Sequence, residues 1–142
     1  MTPYSVVYDA FLSKILEDEW GNWTQEEVDA DLRQILESSL PYFKFPKHSL
    51  DRDEFGFHED LNSQEIQIIA HYMRCEWLNR NINTWENIKP MYDERDFSPA
   101  NFIEKLRQLL AQEQKDALRL EGYYYRSINY KPFDYTKLAG KN

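Results

Sequence analysis

The chain has 142 residues, the size of one domain, and a net charge of −8, with 42% hydrophobic, 30% charged and 15% aromatic residues. Its single cysteine, Cys75, rules out an internal disulfide framework, and no run approaches the roughly 18 apolar residues of a membrane span. The acidic balance argues against a broad nucleic-acid-binding face, which needs clustered Lys and Arg to meet phosphates.

Low glycine and proline content (4 and 6) and few β-branched runs favour helices over a many-stranded sheet. The opening, "MTPYSVVYDAFLSKILEDEW", lacks the basic segment and apolar block of a signal peptide. The chain reads as soluble and made in a reducing compartment. Thr2 can cap and Pro3 fits a first helical position, and Tyr4, Val7, Tyr8, Phe11 and Ile15 share one stripe. The first predicted helix covers about 3–18, and "EWGNW" breaks it at Gly21. "TQEE" is a capping box with Thr24 and Glu27 opening a second helix, 24–39, whose stripe is Val28, Leu32, Ile35, Leu36 and Leu40 before Pro41.

Residues 41–62 have no helical period and read as a loop with one short hairpin. Phe43 and Phe45 alternate, as do Phe55 and Phe57, so each pair is expected on one face of an extended strand. Asn62 with Glu65 caps a third helix, 63–79, with Ile66, Ile69, Ala70, Met73 and Trp77 on its apolar face. "NINTWENIKPMYDERDF" is a connector with a short helical turn before Pro90. Ser98 and Pro99 open a fourth helix, 98–121, carrying Phe102, Leu106, Leu109, Leu110, Ala117 and Leu120, with Gly122 as its stop. The predicted fold is all-α: a bundle of about four helices, an irregular or hairpin segment near 41–62, and an extended C-terminal arm. Residues 1–122 form the helical domain and 123–142 the arm.

Motifs for chemistry are sparse. His71 and Cys75 lie one turn apart and could give two metal ligands, but a zinc site needs three or four; the plainer reading is a half-exposed histidine beside a buried cysteine. Asp51, Asp53 and Glu54 begin like a calcium loop and depart from it after the second acid, which suits a solvated charged turn. No nucleophile elbow, phosphate loop or dinucleotide fingerprint is present. No catalytic residue, metal or cofactor is assigned.

The aromatic residues are more informative. Trp77 reads as a core anchor. Trp20, Trp23 and Trp85 fall in predicted loops, where one or two of them are expected to contact a partner. The last twenty residues hold Tyr123, Tyr124, Tyr125, Tyr130, Phe133 and Tyr135, with Arg126, Lys131, Lys137 and Lys141 against Asp134. That strip carries +3, while residues 1–122 carry −11. Held open by Pro132, it cannot bury six aromatics on itself. It is mobile, or folds back on its own acidic body, or docks on a partner; docking fits its aromatic and basic composition best.

In order and spacing, Thr2-Pro3-Tyr4, Glu76-Trp77-Leu78, Asn87-Ile88, Asp96-Phe97 and Ala100-Asn101 resemble a family of neck proteins of tailed bacteriophages: head–tail connectors, adaptors or head-completion proteins. "MTPYSVVYDAFLSKI" and "SLDRDEFGF" leading into "DLNSQEIQIIAHYM" are similar as well, so the likeness covers roughly residues 1–121. The resemblance implies a non-enzymatic helical protein, made in the host cytoplasm and placed at the virion neck. There it would assemble as a ring of about twelve copies on the portal protein, touching tail or other neck proteins. DNA would pass through without specific binding, and no membrane is involved. A carboxylate-lined channel would let duplex DNA slide without sticking. The alternative is a small intracellular protein-binding regulator that docks through its aromatic tail.

Overall fold

A computed structural model describes residues 1–15, 20–91 and 99–129, leaving the side chains of residues 128 and 129 aside. The elements in chain order are β1 (Thr2–Pro3), α1 (Tyr4–Leu12), α2 (Gln25–Ser39), β2 (Gly56–Phe57), α3 (Ser63–Ile88) and α4 (Pro99–Asn129), with 3-10 turns at Leu40–Tyr42 and Lys89–Met91. The fold is all-α, as expected, with one small antiparallel β element. Helix α3 is the central post: α1 and α2 pack on one side of it and α4 on another.

The apolar stripes place the core. Tyr4, Val7, Tyr8, Phe11 and Ile15 are all buried, as are Leu32, Ile35, Leu36 and Leu40. They close on Ile69, Ala70, Met73 and Trp77 of α3, which is buried around most of its circumference because two layers use it. The cap expected at Thr24 is present, its side chain accepting from Glu27 N at 3.2 Å. The Asn62–Glu65 capping box is complete: Glu65 N donates to Asn62 Oδ1 at 2.9 Å, and Asn62 N donates to Glu65 Oε1 at 2.8 Å.

Helix α1 is shorter than the stripe suggested. It ends at Leu12, where Ser13 Oγ donates back to Ala10 O and the backbone tightens into a turn through Ile15. Thr2 does not cap it. Its hydroxyl donates to Glu59 O at 2.8 Å and accepts from Leu61 N at 2.9 Å, tying the N-terminus to the start of α3. Pro3 is the residue before the helix, not its first.

The short hairpin in 41–62 exists at Arg52↔Phe57, and β1 adds to it antiparallel, with Thr2 opposite Phe57 and Pro3 opposite Gly56. A side chain at Gly56 would put a Cβ 2.3 Å from Thr2 O, so glycine is what allows this approach. Asp53 holds the solvated turn, its Oδ1 accepting from Phe55 N at 2.8 Å and Gly56 N at 3.3 Å. The phenylalanine pairs do not share faces. Phe43 and Phe57 are buried, whereas Phe45 is 70% and Phe55 67% exposed. Neither pair lies wholly within a regular strand: Phe43 follows a 3-10 turn and β2 is only two residues long, so the two-residue alternation does not apply.

Two helices outrun their expected ends. Helix α3 continues to Ile88 because Ile82 is buried and Trp85 packs on Phe102 of α4, while Asn81 Nδ2 donates to Trp77 O at 2.8 Å and Thr84 Oγ1 to Arg80 O at 2.9 Å. Helix α4 passes through Gly122 to Asn129. Gly122 does not adopt a left-handed conformation, which a glycine stop requires. The expected cap Ser98 lies outside the described residues.

Candidate functional site

Helix α4 has a seam and two open flanks. The seam follows a strict three–four spacing: Ile103, Leu106, Leu110, Glu113, Ala117, Leu120 and Tyr124 are buried or half-buried against the rest of the chain. That spacing crosses Gly122 without interruption and is the geometry of two helices packed at a shallow angle. Exposed large apolar residues stand on both flanks of that seam, Leu118 on one and Leu109 with Tyr123 on the other.

The seam is stitched by buried carboxylates. Glu113 takes His71 Nδ1 and Arg74 Nη1 from α3. Glu121 accepts from Tyr72 OH at 2.9 Å and Tyr125 OH at 2.8 Å. Glu65, fully buried, accepts from Tyr124 OH at 2.8 Å and from His48 N at 3.1 Å, and its Oε1 lies 2.7 Å from His48 Nδ1. Tyr124 OH in turn accepts from Lys47 N at 2.6 Å. One phenol thereby joins the loop, the start of α3 and the end of α4. Burial alone would raise the Glu65 and Glu113 carboxyls; the donors around each outweigh it and hold both below the usual carboxylate range. Burial pushes the Tyr124 and Tyr125 phenols up to about 12 and raises Tyr72 as well.

On the Leu118 flank runs an aromatic groove. Tyr42, Phe45, Tyr72, Leu118 and Tyr125 wall a concavity of about 340 Å³. It continues along α4 into a smaller one of about 120 Å³ lined by Cys75, Glu76, Asn79, Leu110 and Gln114. The walls are organised by ring contacts: Tyr42 stacks on Tyr72 at 5.6 Å, and Phe45 meets Tyr125 edge-on at 6.1 Å. Phe45 N also donates to Tyr125 OH at 3.2 Å. The Cys75 thiol at its floor is pushed up to about 12, first by burial and then by Glu113 and Glu76, so it is a poor nucleophile at neutral pH. The groove can bind apolar and aromatic groups.

The expected partner-binding residues scatter. Trp20 is buried, its Nε1 donating to Asp31 Oδ2 at 2.7 Å, and acts as a core anchor where a loop contact was expected. Trp23 is 43% exposed at the same turn. Trp85 belongs to α3 and packs half-buried against Phe102, ring centres 4.9 Å apart. Tyr123, Tyr124 and Tyr125 are helical where an extended arm was expected. Tyr123 is exposed with the Arg126 guanidinium 4.6 Å over its ring, Tyr124 is wholly buried, and Tyr125 lines the groove. Tyr130, Phe133 and Tyr135 lie outside the described residues. Tyr42, Phe45, Tyr72 and Leu118 were missed. Only Leu118 had a signal in sequence: an apolar residue standing off the three–four seam.

Among the described residues no helix is long and apolar enough to cross a membrane, and no three His, Cys, Asp or Glu side chains converge as metal ligands. Comparison with protein-family models, with curated proteins and with solved structures finds no match for the chain.

Proposed function

We propose that the protein is a structural assembly component, a neck adaptor of a tailed bacteriophage that forms a ring joining the portal to tail components and conducts DNA. One observation of the fold supports an assembly role above all. Helix α4 spends one stripe on its own chain and leaves apolar groups exposed on both flanks, Leu118 with the aromatic groove on one and Leu109 with Tyr123 on the other, which is surface suited to other polypeptide. The ordered sequence resemblance narrows that role to the neck, and the acidic body suits a conduit that DNA must not stick to.

The test is size and shape. Purified alone or with its portal, the adaptor is expected to image as rings of many copies whose lumen is richer in acids than in bases. A protein that stays monomeric or dimeric with and without a portal overturns the reading and leaves the docking regulator. The arm must be removed cleanly to test portal attachment. A chain ending at Gly122 also loses Tyr124 from the core, whereas one ending at Asn129 keeps α4 whole; attachment is expected to be lost in both.

A further inference from the structure

We propose that the aromatic groove beside α4 is the seat of this chain's own residues 130–142, which fold back into it within a single subunit. This goes beyond the adaptor reading, because it concerns the lone subunit before any assembly takes the segment elsewhere.

Position is the first argument. Helix α4 delivers the chain at Asn129, one turn beyond Tyr125, and Tyr125 closes the end of the groove. From there the groove runs back along α4 toward Leu110, about 23 Å at 1.5 Å per residue. Residues 130–142 reach about 45 Å when extended, enough to reverse direction and cover that length.

Chemistry is the second. Tyr42, Phe45, Tyr72 and Leu118 offer flat apolar walls, with Tyr42 51% and Leu118 62% exposed. Pro132, Phe133 and Tyr135 are side chains that such walls hold well, and proline presets the extended backbone that aromatic grooves recognise. Charge agrees: Lys131, Lys137 and Lys141 outnumber Asp134, while Glu76 and Glu121 outnumber Lys44 along the groove.

Trypsin reads the seat directly, since cutting after Lys137 needs a freed segment. In the full chain, at a dilution where it is monomeric, that cut is expected to be about tenfold slower than in a synthetic peptide of residues 130–142. Tyr42→Ser and Phe45→Ser remove exposed rings, so circular dichroism should stay unchanged while the cutting rate rises toward the peptide's. Cutting of the intact chain at the peptide rate overturns the proposal. Protection that disappears on hundredfold dilution overturns it in favour of a second copy as host, and protection untouched by either variant overturns the groove as the seat.

Discussion

The two sides of α3 are built on different physics. Toward α1 and α2 the contact is apolar: Val7, Phe11, Leu32 and Leu36 are fully or almost fully buried against Ile69 and Met73. Polar links there sit toward the rim, as where Lys14 Nζ donates to Gln67 Oε1 at 2.6 Å. Toward α4 the seam buries Glu65, Glu113 and Glu121 with tyrosine hydroxyls, a histidine and an arginine. Apolar burial is non-directional and rewards area. Buried carboxylates reward only one register, because any slide strands a charge. The first side therefore supplies most of the stability, and the second fixes where α4 lies and makes its docking sensitive to single atoms.

The largest effect should come from the apolar side. Phe11→Ala removes a fully buried ring and leaves a cavity, expected to cost about 3–5 kcal/mol in chemical denaturation. On the seam, Glu65→Ala leaves Tyr124 OH, His48 and Asn62 N without their acceptor, for an expected loss of about 3 kcal/mol. The contrast lies in recovery. Glu65→Gln keeps the shape and one acceptor and should recover part of that loss, whereas no polar isostere should rescue Phe11. Complete recovery by Glu65→Gln would mean that the seam is held by packing alone.

Solution pH probes the same contrast more gently. The Tyr124 and Tyr125 phenols are raised to about 12 in the folded chain, so their contribution is intact below the ordinary tyrosine pKa of roughly 10 and is lost as pH rises from there through about 12. For buried Tyr124 that amounts to roughly 2–3 kcal/mol. Tyr8, on the α1 side, is also raised to about 12 by burial, so alkali weakens both sides. The seam has three such tyrosines, counting Tyr72, and should open first. Amide exchange along α4 is expected to accelerate before that of α1 as pH passes 10, and Tyr124→Phe should delay it. In acid the depressed Glu65 and Glu113 act oppositely: their contribution is present above the ordinary glutamate range and is lost as pH falls through their lowered values. Asp31, held below its usual range by Arg80 and Trp20 against the effect of burial, adds an acid-labile link at α2.

Much of this was legible in the residues. The stripe from Tyr4 to Ile15, the caps at Thr24 and Asn62 and the start at Pro99 are local patterns, and each stands where it was expected. What could not be read was non-local. That Phe45 is exposed and Phe43 buried depends on how a loop crosses α4, which no two-residue alternation encodes. Trp20 looked like a loop aromatic because its partner, Asp31, lies on another element. The end of α3 was hidden by Asn79, Asn81 and Asn83, residues that favour turns unless packing, here of Ile82 and Trp85, holds the helix. The aromatic groove was invisible because Tyr42, Tyr72 and Tyr125 come from three separate stretches. The course of α4 past residue 122 was recoverable: Ala117, Leu120 and Tyr124 continue the three–four spacing, and that spacing outweighs one glycine's propensity cost of about 1 kcal/mol.

Gly122 tests that last point by the sign of a small effect. Within a helix, alanine is favoured over glycine by about 1 kcal/mol because the unfolded chain has less freedom to lose. A Cβ at Gly122 meets nothing within 4 Å, so no clash offsets the gain. Gly122→Ala is therefore expected to stabilise the protein by about 0.5–1 kcal/mol, a rise of about 2–5 °C in Tm. Had Gly122 been a left-handed stop releasing an arm at Tyr123, the same change would strain the backbone and cost a similar amount. A lowered Tm for Gly122→Ala would thus end α4 at residue 121, detach Tyr124 from Glu65 and remove the register that the seam's carboxylates supply.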